Sequence, residues 1–182
     1  MTLLQRIIAA VTLSLAAAGF TVNQTGLPAP VERAALYAGL MVLTPEMEGT
    51  RFKAYPDTGG VWTICTGHTG GVKRGDVATQ PECAAYLHND LTSSVNFAMT
   101  RAAPVGLFCK IAIADMHTNT GPGAVGGSTY LRLANAGDQR GAAEQFRRWV
   151  YVGGKDCRIA ANNCSGIVIR RELQRSLCLV GL

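Results

Sequence analysis

Glu48-Gly49-Thr50-Arg51-Phe52-Lys53-Ala54-Tyr55-Pro56-Asp57-Thr58-Gly59-Gly60-Val61-Trp62-Thr63-Ile64-Cys65-Thr66-Gly67-His68-Thr69 is where helical patterning gives way to something else. Gly59-Gly60, Gly67 and the following Gly70-Gly71 punctuate short runs such as Val61-Trp62-Thr63-Ile64-Cys65, the pattern of small antiparallel strands joined by tight turns. Residues 51–72 are therefore expected to form a compact β lobe. Upstream, residues 31–43 have helical composition with Glu32-Arg33 near the start, and Pro45 is expected to stop that helix. Glu48 then falls just past a helix end. Eight residues separate Glu48 from Asp57 and five separate Asp57 from Thr63. This spacing allows a carboxyl at a helix–strand junction and two further oxygen groups on adjacent strands to line one cleft between two lobes.

Two carboxyls in unlike surroundings are what hydrolysis of a glycosidic bond requires. One stays protonated to protonate the leaving oxygen, and the other stays ionised to orient water or stabilise positive charge. Apolar neighbours such as Met47 and Phe52 would favour a protonated Glu48, whereas an Asp in a Gly-rich, wet strand keeps its charge. Taken alone, two acids and a threonine are a common accident, and solvated surface acids are the more frequent reading. Glu46, two residues away, is a rival for the acid.

Downstream, Thr79-Gln80-Pro81-Glu82 has the spacing of a capping box, and Cys83, Leu87, Leu91 and Val95 recur every four residues. One long helix reaching about Met99 is expected to connect the two lobes. Pro104 opens the next helix, where Leu107, Phe108, Ile111 and Met116 are too apolar on several sides for a surface element. A turn at 121–127 and shorter helices at 128–136, 138–151 and 167–180 complete an α+β chain.

Residues 7–22 carry no charge and follow Arg6, so this run can enter a bilayer, although it is shorter than the roughly 20 residues that span comfortably. A cleaved signal peptide ending near Ala16-Ala17-Ala18 is the alternative, and a core helix of the globular part is the third reading. The first two deliver the remainder across the inner membrane. Asn23, Gly26, Pro28 and Pro30 read as a linker. The expected organisation is a membrane-targeting segment at 1–22, a linker at 23–30 and a catalytic domain at 31–182.

The chain has 182 residues, 48% of them hydrophobic, which suffices for a real core, and its net charge of +5 favours a polyanionic partner. No alternation of aromatic and basic residues marks a nucleic-acid module; Arg147-Arg148 and Arg170-Arg171 read as solvated helix faces, and nucleic acid is not expected as a partner. There is no CxxC pair, and His68, His88 and His117 do not share ligand spacing with the cysteines, so neither a metal nor another cofactor is expected. Six cysteines are an even set, which in an exported protein points to disulfides.

The stretch from Glu48-Gly49 through Asp57 and Thr63 to Thr69 resembles the active-site signature of phage-type lysozymes (glycoside hydrolase family 24), in which Glu, Asp and Thr recur at these intervals. Cys65 stands where the first glycine of the family's Gly-x-Gly-His usually lies, a change also seen in membrane-anchored endolysins. The similarity continues through Asn89-Asp90, Asn119-x-Gly121, Arg148-Trp149, Gly153-Gly154-Lys155 and Gly166-Ile167-x-x-Arg170-Arg171-Glu172, covering nearly everything after about residue 40. The resemblance implies a lysozyme-like fold: a small β lobe and a larger helical lobe joined by a long helix. It implies a muramidase acting on peptidoglycan as a monomer, initially tethered to the inner membrane and active in the periplasm after release. Glu48 would be the general acid, and Asp57 and Thr63 would handle the attacking water. His68 would pair with Asp90 across the lobes, and Thr69, Thr118, Tyr130 and Gln145 would contact the glycan. Of the 15 connectivities open to six cysteines, Cys65–Cys83, Cys109–Cys178 and Cys157–Cys164 are preferred. A non-catalytic glycan-binding protein on the same scaffold is the competing function.

Overall fold

The computed structural model describes residues 1–57, 59–102 and 104–182; Thr58 of the quoted stretch lies outside them. Helix α1 (Leu3–Ala17) opens with a capping box in which Thr2 and Gln5 satisfy each other's backbone amides. An irregular segment leads to α2 (Ala29–Glu48), where Pro30 is tolerated because the first-turn amides have no partner to lose. Pro45 does not stop this helix. Its missing N–H costs one bond, but its carbonyl still accepts from Gly49 N at 2.9 Å, and Gly49 at φ +74° ends the helix one turn later. Glu48 is thus the last helical residue.

The β lobe follows at once. Strand β1 (Arg51–Pro56) pairs antiparallel with β2 (Trp62–Cys65), with Tyr55 opposite Thr63 and an irregular register between Arg51 and Tyr55. On the other edge of β1, Ala54 N donates to Asp76 O and Ala78 N to Phe52 O, both at 2.9 Å, so residues 76–78 extend the sheet. The lobe has its own small core of Ile64, Cys65, Ala78 and Cys83.

Thr79 and Glu82 form the capping box that starts α3 (Gln80–Asp90). The expected single helix is two: α4 (Thr92–Arg101) begins after a turn at Leu91. The backbone there stays near helical values (φ −75°, ψ −12°), and Val95 N still reaches Leu91 O at 2.9 Å, so the apolar stripe Cys83, Leu87, Leu91, Val95 is buried along both helices. Helix α5 (Leu107–Thr120) is the centre of the larger lobe, every residue from Phe108 to His117 being buried.

Short helices α6 (Pro122–Gly126), α7 (Thr129–Asn135) and α8 (Gln139–Gln145) follow, then a 3-10 turn at Phe146–Arg148. The helix expected over 138–151 is therefore shorter. Gly153 and Gly154, at φ +54° and +78°, turn a hairpin of β3 (Tyr151–Val152) and β4 (Lys155–Asp156), because a two-residue turn with both φ positive matches strand twist. Helix α9 (Ser165–Cys178) closes the chain against α5. Disulfides join Cys65 to Cys83, Cys109 to Cys178 and Cys157 to Cys164.

Helix α1 packs on α2 and belongs to the main core. Ile7, Val11 and Leu15 form its fully buried stripe, and Gly39 of α2 gives it room: a Cβ there would lie 2.6 Å from Ile111 Cδ1 and 3.2 Å from Val11 Cγ2. Arg6 pairs with Glu46 at 2.9 Å across the two helices. Among the described residues no helix is long and apolar enough to cross a membrane.

Candidate active site

The C-terminal turn of α2 and the first turns of α9 face each other across a cleft of about 520 Å³, lined by Glu46, Met47, Glu48, Asn119, Asn163 and Arg170 together with the start of α9. Glu48 is half-exposed in it, and its Oε1 accepts from Arg170 Nη1. Of the two apolar neighbours expected from sequence, Met47 lines this cleft, whereas Phe52 lines a separate pocket with Met41, Pro45 and Leu87, and the direct partner of Glu48 is a guanidinium.

Arg170 is only 4% exposed and sits on a fully buried Asp115, its Nε 3.0 Å from Oδ2 and its Nη2 2.7 Å from Oδ1. Gln174 Nε2 adds a bond of 2.6 Å to Asp115 Oδ2. Arg171 donates to Gln174 Oε1 at 3.0 Å, to Asn119 Oδ1 at 2.6 Å and to Trp149 O at 2.9 Å. Burial works against the Arg170 charge, but Asp115 and Glu48 outweigh it and hold the guanidinium above its ordinary range. Arg171 lacks such a carboxylate and is pushed down to about 10, first by burial and then by the Arg170 charge. Both arginines are buried, which corrects the reading of this pair as a solvated face. Arg147, by contrast, is exposed and pairs with Glu172 and Glu144.

Asp57 lies at the tip of the β1–β2 hairpin, its Oδ1 accepting from Gly59 N and Val61 N, each at 2.8 Å. Thr63 is buried on β2, and its hydroxyl donates to Val61 O at 3.0 Å. Among the described residues no hydrogen bond joins Glu48 to either, and the cleft at Glu48 is walled by the helical lobe alone. His68 Nδ1 meets both oxygens of Asp90 at 3.0 and 3.1 Å, its Nε2 meets Gly70 O at 3.1 Å, and its ring stacks on Tyr86. Both ring nitrogens face oxygen acceptors, so one N–H bond is made in either tautomer.

Of the residues expected to touch glycan, Thr69 is exposed and Gln145 is half-buried beside Arg148. The Thr118 hydroxyl is turned to Ser94 Oγ at 2.8 Å, and Ser94 in turn meets His117 Nδ1 at 2.8 Å. Tyr130 is fully buried against Phe146 and Trp149, away from the cleft surface, and burial pushes the phenol up. Its place at the glycan was implied by the resemblance alone, and the packing of α7 carries the ring into the main core.

Sequence reasoning missed Asp115 and Gln174, and gave no role to Arg170. A signal was available: one acid inside the apolar run 107–116 needs a buried cationic partner.

Residues 45–174 match the phage lysozyme family. The SAR-endolysin of Enterobacteria phage P21 is 37% identical over 144 residues, covering 74% of this chain and 79% of that protein. Among solved structures, a variant of P22 lysozyme superposes with a TM-score of 0.66 at 31% identity, over 76% of this chain and 94% of that one. The active form of P1 phage endolysin Lyz gives the same TM-score at 21% identity, over 96% of this chain and 94% of that one, a likeness of fold.

Proposed function

Because the chain belongs to the phage lysozyme family and is a lysozyme-type glycoside hydrolase, we propose that it is a muramidase cleaving the β-1,4 bond between N-acetylmuramic acid and N-acetylglucosamine in peptidoglycan, and that this cleavage lyses the host cell. Glu48 is the general acid: it protonates the leaving glycosidic oxygen. The observation that carries this is its place at the end of α2, opening into the cleft shared with Arg170 and Asn119. Asp57 and Thr63 handle the attacking water from the β lobe. The amides of Gly59 and Val61 fix one Asp57 oxygen, which supports a set orientation for the carboxylate. Productive binding brings the hairpin tip and Glu48 to opposite sides of one sugar. The family's substrate is a glycan, and no cofactor enters the reaction.

The N-terminal segment carries the chain across the inner membrane and tethers it there, facing the periplasm. The uncharged run 7–22 behind Arg6 supports this, as does the SAR-endolysin name of the relative. The docked α1 described above is the released, monomeric state.

Loss of turbidity of purified peptidoglycan tests the chemistry. Wild type clears the suspension, and Glu48→Gln is slower by about 100-fold or more, the usual contribution of a general acid. Glu46→Gln stays active. Clearing by Glu48→Gln at the wild-type rate would reject the assignment, and wild type that binds walls without clearing them would establish a glycan-binding protein instead.

A further inference from the structure

A polar chain runs behind the cleft, and the residues at its two ends both line it. It runs from Asn119 through Arg171, Gln174, Asp115 and Arg170 to Glu48, every link a hydrogen bond. Of its interior members Arg170 reaches the cleft wall, while Arg171, Gln174 and Asp115 are buried behind it. Asp115 engages two of the three guanidinium nitrogens of Arg170, Nε at 3.0 Å and Nη2 at 2.7 Å, and leaves Nη1 for Glu48. A forked pair of this kind fixes direction as well as charge.

The charge balance matters for an acid. A carboxyl beside a free guanidinium is driven to its ionised form, useless for protonating a leaving group. Here the guanidinium is already matched by Asp115. We propose that Asp115 is a positioning residue for the lysozyme reaction, matching the charge of Arg170 and aiming its free nitrogen so that the guanidinium holds the Glu48 carboxyl in the cleft. This rests on the reading of Glu48 as the acid. The other charged group lining the cleft among the described residues is Glu46, on α2 itself, and Arg6 of α1 pairs with it at 2.9 Å. Arg171 stands one link behind, directed to Asn119 and Gln174. The Asp115–Arg170 pair is therefore the element that sets the charge seen by Glu48.

The test is the pH profile of peptidoglycan clearing by the full chain, with Asp115→Asn, Arg170→Gln and the double variant. In Asp115→Asn the guanidinium is unmatched, and the alkaline limb moves to lower pH by about 1–3 units, the range for an opposite charge in contact, with kcat reduced and KM held. In Arg170→Gln the Asp115 charge is unmatched instead, and the limb moves to higher pH. The double variant returns the limb to near its wild-type position. Circular dichroism and melting establish which variants are folded; should Asp115→Asn not fold, Arg170→Gln against the double variant carries the comparison, since Gln174 still serves Asp115 there. Coincident limbs in all folded variants would overturn the proposal and leave Asp115 a structural residue. An active Glu48→Gln would instead overturn the assignment of the acid, so the two failures are distinct.

Discussion

At Cys65 the backbone adopts φ +57°, in the left-handed region that favours glycine, yet the position holds a side chain bonded to Cys83. A non-glycine residue pays about 1–2 kcal/mol for this conformation. Closing the 18-residue separation between Cys65 and Cys83 stabilises by about 3 kcal/mol in the chain-entropy account. The disulfide outweighs the strain, which explains how a cysteine stands where phage lysozymes usually have glycine. Two bridge-free variants isolate the backbone contribution: Cys65→Gly with Cys83→Ala, and Cys65→Ala with Cys83→Ala. They differ in one methyl group at one torsion, and the glycine version is expected to be more stable by about 1–2 kcal/mol in urea unfolding. Equal midpoints would mean that the turn relaxes once the bridge is gone.

The elements show what was legible and what was not. Local patterns placed the capping box at Thr79, the hairpin around Gly59-Gly60 and the buried α5, because each depends on neighbours within a few residues. The run of α2 through Pro45 was not legible, since a helix survives one lost amide when packing on both sides holds it. Nor was the break at Leu91, where the apolar stripe continues unbroken. The site was half legible. Glu48 stands in a local motif, but its partner Arg170 is 122 residues away and its arginine pair resembles a solvated face until the packing is known. Helix α1 belongs to this scale too. Its apolar face suits a bilayer or a protein core equally, and Gly39 decides how closely it docks. Gly39→Val puts further carbons where the first already lies 2.6 Å from Ile111 Cδ1, so it should cost about 1–3 kcal/mol, lower the melting temperature and expose residues 21–28 to protease. An unchanged melting temperature with unchanged cleavage would show that α1 does not depend on this close approach.

Across the whole molecule the three disulfides do different work, which follows from what each one joins. Cys109–Cys178 links α5 to the end of α9 over a separation of 69 residues, whereas Cys157–Cys164 closes only 7. The chain-entropy account gives about 4 kcal/mol for the first and about 2.5 kcal/mol for the second. Stability alone would thus rank the short bridge last. Cys164, however, lines the Glu48 cleft and precedes the first turn of α9, the helix that carries Arg170 and Arg171. Freed from Cys157, that turn can shift the cleft wall while Cys109–Cys178 still anchors the far end of the helix. Cys109→Ala with Cys178→Ala should therefore lower the urea midpoint most, yet leave clearing activity per folded molecule close to wild type. Cys157→Ala with Cys164→Ala should do the reverse, with a small loss of stability and a several-fold loss of clearing rate. Measuring both variants by urea unfolding and by turbidity at one temperature separates the two roles. Activity that simply tracks the folded fraction in both would show that the short bridge does no more than staple a loop.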